Sequence, residues 1–152
     1  MKSKIFIKDK IKSFNKKIAV TSDKSISIRS VLLASQAIGV SKIFNLLESE
    51  DVLNTLKCIK KLGINYKKFN SHYKFYGFGL KGYNTKKNIV LDAGNSGTLA
   101  RLILGILVDS EKSIKIVGDK SLSKRDFSRI TEPLKMFGAN ILSKKKKLPV
   151  LI

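Results

Sequence analysis

Asn88-Ile89-Val90-Leu91-Asp92-Ala93-Gly94-Asn95-Ser96-Gly97-Thr98-Leu99-Ala100-Arg101 is the stretch on which the fold turns. Asn88 to Asp92 carries the β-branched and apolar residues of a strand, and Ala93 to Thr98 is a tight, glycine-rich turn. Leu99 to Val108 is then an almost wholly apolar run of helical length. The passage predicts strand, turn and helix in succession.

The same order stands earlier in the chain. Lys17-Ile18-Ala19-Val20 reads as a strand and Thr21 to Lys24 as a polar turn. Ile28, Val31, Leu32, Ala34 and Ile38 then recur at helical spacing, with Gly39 as the expected C-cap. A strand from Lys42 to Leu46 follows, and Ser49-Glu50-Asp51 supplies an N-cap and first-turn acids for a helix that runs through Leu62 and stops at Gly63. Ile64 to Phe69 and Tyr73 to Phe78 make a hairpin about Asn70-Ser71. The later copy continues alike: a strand over Ser113 to Val117, a polar loop from Gly118 to Lys124, a helix ending at Phe137-Gly138 with Pro133 in its first turn, and a hairpin opening at Ala139 to Ser143. Lys61-Leu62-Gly63-Ile64-Asn65 and Met136-Phe137-Gly138-Ala139-Asn140 share helix-Gly-strand punctuation. The chain therefore reads as α/β (α+β), two β-α-β-α-β-β units over about 17–80 and 88–152, after a short strand at Ile5 to Ile7. The second unit ends on the apolar Leu148-Pro149-Val150-Leu151-Ile152 with no polar cap, the mark expected of a truncated chain.

A length of 152 residues with 43% apolar content suffices for one ordinary core. No run of eighteen apolar residues occurs, and Met1-Lys2-Ser3-Lys4 does not lead into a signal-peptide core, so a cytoplasmic address is expected. Cys58 is the only cysteine and sits at helical spacing among Leu53, Leu56, Ile59 and Leu62, which fits a buried structural thiol better than a nucleophile. His72, in Asn70-Ser71-His72-Tyr73, reads as an exposed turn position, and no metal site is expected.

The net charge of +20 invites a polyanionic partner. Its distribution argues against nucleic acid and membrane, because lysines are scattered over every presumed exterior and the aromatic residues do not interleave with a basic stripe. Among 31 cationic residues only Arg29, Arg101, Arg125 and Arg129 are arginine. Where the chain leaves its default cation for a planar fork, an anion or a buried ion pair is the natural partner. The turns Ser22-Asp23-Lys24-Ser25 and Gly94-Asn95-Ser96-Gly97-Thr98 each open a helix, and unpaired N–H groups there suit phosphate or carboxylate. In the first, Lys24, the hydroxyls of Ser25 and Ser27, and Arg29 one turn beyond Ser25 all add donors. Ordinary N-capping accounts for either turn alone. Two such turns in one repeat, each followed by a rare arginine, favour anion binding. The Gly-Asn-Ser-Gly-Thr run is not a Walker A loop or a dinucleotide fingerprint. Ser123-Lys124-Arg125-Asp126 is a third basic cluster ahead of a helix, equally open to reading as a surface loop with Arg129 paired to Asp126 or Glu132.

These residues resemble the 5-enolpyruvylshikimate-3-phosphate synthase family. That family carries Pro-Gly, Asp or Ser, then Lys-Ser-x-Ser-x-Arg; next Gly-Asn-Ser/Ala-Gly-Thr-x-x-Arg; and then a loop ending Lys-x-Arg-Pro or Ser-Lys-Arg-Pro before a helix that finishes near Met-Gly-Ala. Here the matches are Thr21-Ser22-Asp23-Lys24-Ser25-Ile26-Ser27-Ile28-Arg29, Gly94 to Arg101, and Asp119-Lys120-Ser121-Leu122-Ser123-Lys124-Arg125 followed by Glu132 to Ala139. Thr21-Ser22 replaces Pro-Gly, Ile28 a polar residue, Leu99-Ala100 the usual pair, and Asp126 the proline after the motif arginine.

The resemblance implies two domains of three β-α-β-α-β-β units each, with residues 1–16 opening one domain and 17–152 giving two of the other's three units. It implies transfer of the carboxyvinyl group of phosphoenolpyruvate to the 5-hydroxyl of shikimate 3-phosphate through a tetrahedral adduct, in a typically monomeric enzyme without metal or organic cofactor. By motif position Lys24 would touch both substrates, Ser25 and Arg29 would hold shikimate 3-phosphate, and Gly97 and Arg125 would hold phosphoenolpyruvate, with Asn95 and Thr98 as neighbours and Arg101 supporting the turn. The family's proton-transfer acids lie in later segments, so no catalytic residue is expected within this chain and turnover by it alone is not. The alternatives are the related UDP-N-acetylglucosamine enolpyruvyl transferase, which has Lys-Asn where this chain has Lys24-Ser25, and a non-enzymatic basic nucleic-acid-binding module.

Overall fold

A computed structural model of the chain describes residues 20–80, 89–110 and 112–152, together with Phe6, Lys8, Ser13, Asn15, Lys17, Ile18 and Tyr83. The expected strand at Ile5 to Ile7 lies outside the described residues but for Phe6, and Lys17, Ile18 and Val20 belong to no strand.

Two units follow one another. The first comprises α1 (Lys24–Gln36), β1 (Ile38–Phe44), α2 (Glu50–Lys61), β2 (Asn65–Lys68) and β3 (His72–Phe78). The second comprises β4 (Ile89–Asp92), α3 (Gly97–Leu107), β5 (Ile114–Val117), α4 (Ser128–Met136), β6 (Leu142–Ser143) and β7 (Val150–Leu151). Their sheets repeat as well. The first is ordered β1-β3-β2 and the second β4-β5-β7-β6, so in each the last strand of the closing hairpin pairs with the strand between the unit's two helices. β4 and β5 run parallel and the remaining pairs antiparallel.

Helix ends follow local chemistry. Glu50 and Asp51 lie in the first turn of α2 and Lys60 and Lys61 in its last, which suits the macrodipole at both ends. Gly63 (φ 91°) and Gly138 (φ 94°) turn the chain out of α2 and α4. Ser49 precedes α2 as expected, yet its buried Oγ has no hydrogen-bond partner among the described residues.

Several expectations are corrected. α1 stops at Gln36, and Gly39 lies within β1, not at a helix cap. The cause is close packing: the Ala34 and Ala37 carbonyls occupy the place of a Cβ at Gly77, the partner of Gly39, and the Gly79 N–H donates to Ala37 O at 3.3 Å. α3 begins at Gly97, two residues early, because Ser96 Oγ accepts from the Leu99 N–H. Pro133 falls inside α4, whose start is set further upstream by Asp126 accepting from the Ser128 N–H at 2.6 Å. His72 opens β3 half-buried, its ring centroid 4.9 Å from that of Phe69 and 5.3 Å from that of Phe44. β7 lies between β5 and β6, and Ile152 exchanges two backbone hydrogen bonds with Ile114, so the apolar Val150 and Leu151 suit an inner strand.

One apolar core spans both units: Ile28, Val31 and Leu32 of α1, Val52, Leu56 and Ile59 of α2, and Leu99, Ile103, Leu104 and Leu107 of α3 are all buried. Burying a side chain of this size stabilises by roughly 1.5–3 kcal/mol, so the units are held together by the same force that forms each. The core also fixes the starts of α1 and α3 relative to one another.

Candidate functional site

At the start of α1, Asp23 caps the helix by accepting from the Ile26 N–H at 2.7 Å. Ser27, read from sequence as a donor for an anion, is buried and committed inward: its hydroxyl donates to Asp23 O at 2.8 Å and accepts from the Leu47 N–H at 3.1 Å. Lys24, the first helical residue, places Nζ 2.9 Å from Asp51 Oδ2 on the first turn of α2. Ser25 is half-buried and Arg29 exposed, and neither side chain has a hydrogen-bond or ion-pair partner among the described residues.

At the start of α3, Ser96 plays the part of Asp23, accepting from the N–H three residues on. The Gly97 and Thr98 N–H groups are left without a partner among the described residues. Counting from these caps, Arg29 is the sixth helical residue and Arg101 the fifth, so the two arginines are not equivalents. Arg101 instead crosses to the loop before α4, donating to Asp126 O at 3.3 Å with its guanidinium 5.2 Å from the Phe127 ring centroid. Arg125 donates to Asn95 Oδ1 at 3.0 Å. Both guanidinium groups thereby arrive at one glycine. A Cβ built on Gly97 would sit 2.9 Å from Arg101 Nη1 and 3.0 Å from Arg125 Nη1. Two cations beside free N–H groups at a helix start make a cradle for a multivalent anion such as a phosphate or carboxylate.

Behind Arg125 lies a hydrogen-bonded frame that the sequence reading missed. Asn95 Nδ2 donates to Asp119 Oδ2 at 2.6 Å, and Asp119 Oδ1 accepts from the Leu122 N–H at 2.6 Å. The Leu122 N–H and the Asn95 amide hold the Asp119 carboxyl below the usual range. The signal was present in Asp119-Lys120-Ser121-Leu122, since an aspartate three residues before a turn amide is a natural local acceptor. In the third basic cluster, Arg129 forms an ion pair with neither candidate carboxylate: Asp126 binds Ser128, and Glu132 lies 3.8 Å from Lys135.

No hydrogen bond or ion pair among the described residues joins the two helix starts directly, but both abut α2. Asp51 holds Lys24, and the Asn54 amide, three residues on and thus on the same face, fills the space of a Cβ at Gly94 (φ 56°). The structure therefore brings together Asn95, Gly97, Arg101 and Arg125, and ties Lys24 to the first turn of α2. Cys58 is no part of this. Its thiol donates to Asp92 O at 3.3 Å, and burial pushes it up to about 12. Among the described residues no cluster of His, Cys, Asp and Glu could hold a metal ion, and no helix is long and apolar enough to cross a membrane.

The chain is thus a protein of repeated α/β units with two arginines gathered at a helix start. The family model described as EPSP synthase (3-phosphoshikimate 1-carboxyvinyltransferase) matches residues 8–152. The 3-phosphoshikimate 1-carboxyvinyltransferases of Bacillus cytotoxicus and Ruthia magnifica are 43% and 45% identical to the chain over 130 and 135 residues, which is 86% and 89% of this chain and 30% and 31% of theirs. An EPSP synthase from Acinetobacter baumannii superposes with a TM-score of 0.81 at 36% identity, over 90% of this chain and 32% of that one. The chain belongs to the EPSP synthase family. It spans about a third of the length of the curated relatives it matches.

Proposed function

We propose that the chain supplies the amino-terminal share of an enzyme that transfers the carboxyvinyl group of phosphoenolpyruvate to the 5-hydroxyl of shikimate 3-phosphate, in the shikimate route to chorismate and the aromatic amino acids. The observation that carries this reading is the approach of Arg101 and Arg125 to Gly97 at the open start of α3. Phosphoenolpyruvate offers a phosphate and a carboxylate on a three-carbon frame, and a pair of forks beside free N–H groups matches that charge. Gly97, through its N–H, and Arg125 hold phosphoenolpyruvate, with Asn95, Thr98 and Arg101 around them. Ser25 and Arg29, whose side chains have no partner among the described residues, hold shikimate 3-phosphate. Lys24, at the α2 side, reaches both.

The chemistry asked of these residues is orientation and charge neutralisation. Addition of the 5-hydroxyl across the double bond, oxygen to the phosphate-bearing carbon and a proton to the methylene, gives a tetrahedral adduct, and loss of phosphate with a proton from the new methyl group restores the double bond. The cations at Gly97 favour the charge that accumulates on the departing group. Proton transfer is assigned to no residue of this chain. On the same reading residues 1–16 belong to a second domain and 17–152 to a partial domain of two units, in a monomeric cytoplasmic enzyme that uses no metal or organic cofactor and binds no nucleic acid. Hydrogen exchange over Lys24 to Arg29 tests it. Added shikimate 3-phosphate should slow exchange of these amides, and unchanged exchange at saturating ligand in a folded sample would refute binding there.

A further inference from the structure

We infer that Asp119 is a positioning residue: acting through the Asn95 amide, it orients the Arg125 guanidinium at Gly97. The consequence for ligand binding rests on the function proposed above, whereas the orientation itself rests on geometry alone.

A carboxylate can only accept hydrogen bonds, whereas a primary amide donates from one side and accepts on the other. With Asp119 Oδ2 2.6 Å from Asn95 Nδ2, the amide must present its nitrogen to Asp119 and its oxygen away from it. That oxygen is the one Arg125 donates to at 3.0 Å. Asp119 thus decides which face of Asn95 the arginine meets. It is itself well anchored. Its second oxygen accepts from the Leu122 N–H at 2.6 Å, and its own N–H donates to Gly94 O at 2.8 Å. The loop that carries Arg125 closes on the same frame, with the Ser123 N–H donating to Asp119 O at 2.9 Å and the Arg125 N–H to Leu122 O at 3.0 Å. One residue therefore ties the turn of Gly94 and Asn95 to the loop of Arg125.

An acid beside a cradle for anions opposes binding by repulsion. Here the charge is spent on the N–H of Leu122 and the amide of Asn95, and the amide bonded to a carboxylate becomes a better acceptor for the arginine beyond it. Without the acid, nothing prevents the Asn95 amide from turning its own donors toward the guanidinium.

The test compares the chain with Asp119→Asn, with Asn95→Ala, and with the exchange pair Asn95→Asp/Asp119→Asn. In the pair, the new amide at 119 can donate to a carboxylate at 95, which can accept from Arg125, so the relay is rebuilt with reversed chemistry. The first readout is the Arg125 guanidinium N–H signal in a nitrogen-edited NMR spectrum. It should be slowed in exchange in the parent chain, lost in Asp119→Asn and Asn95→Ala, and restored in the pair. The second is affinity for phosphoenolpyruvate, which should fall about tenfold in Asp119→Asn, the scale of one charge-assisted hydrogen bond, and stay low in the pair, where a carboxylate at 95 stands beside the cradle. A merely structural Asp119 would not be rescued by a change at position 95. Persistence of the Arg125 signal in a folded Asp119→Asn chain overturns the inference, as does its absence in a folded exchange pair. If the parent chain fails to bind phosphoenolpyruvate, the proposed function falls, and the guanidinium signal still decides the role of Asp119.

Discussion

Arg101 and Arg125, twenty-four residues apart by number, bring one guanidinium nitrogen each to 2.9 and 3.0 Å from the same point, the place where Gly97 would carry a Cβ. Like charges do not gather without cause. Arg101 is held by Asp126 O and the Phe127 ring, and Arg125 by Asn95, all neutral partners. Neither set of contacts neutralises the charge.

Gly97 is therefore a matter of room. A methyl group there must push back two charged side chains, although the backbone of a helix start accepts alanine readily. Gly97→Ala should fold as the parent does by circular dichroism, yet bind phosphoenolpyruvate at least about tenfold more weakly, the loss expected of one charge-assisted contact. Affinity unchanged by the methyl group would place the ligand elsewhere.

The repeat was legible because glycine punctuation and apolar spacing are local. α2 falls within a residue of its expected limits, framed by Glu50 and Asp51 at one end and Gly63 at the other. What escaped was set by contacts distant in sequence. Gly39 looked like a cap until β3 packed under the end of α1, and His72 looked like a turn residue until Phe44 and Phe69 closed on it. The site divides the same way. The arginines stood out by type, and the structure sets Arg29 and Arg101 apart by their different distances from the two caps. Asp119 was visible as an acid in a basic loop, and its link to Asn95 was not, because that bond spans the whole of α3 and β5.

Acid should loosen the second unit early. The Ser128 hydroxyl and N–H hold the Asp126 carboxyl below its ordinary 3.8, and the Leu122 N–H does the same for Asp119. Because the folded values lie below the unfolded ones, this stability is complete above the ordinary value and is lost as pH falls through the lower folded value. Both groups are open to solvent, so each contribution is modest. Thermal midpoints measured on acidification should fall less steeply for Asp126→Asn than for the parent. Parallel curves would rule out a native role for that cap.

Cys58 should be inert while the chain is folded. A thiol pushed up to about 12 and donating to Asp92 O has neither the thiolate nor the access that alkylation requires. Iodoacetamide should modify it only on the timescale of unfolding, followed by mass spectrometry. Fast labelling under native conditions would mean that α2 does not seat against β4 as described.

On the proposed function, the start of α3 receives phosphoenolpyruvate between Arg101 and Arg125. Titration of the isotopically labelled chain, followed through the backbone amide signals of Gly97 and Thr98, measures this most directly. Saturable shifts at these two amides, abolished by Arg125→Ala and spared by substitution of the exposed Lys145, are the predicted result. Signals that stay in place while the chain remains folded, or that move as far for Arg125→Ala as for the parent, would contradict it.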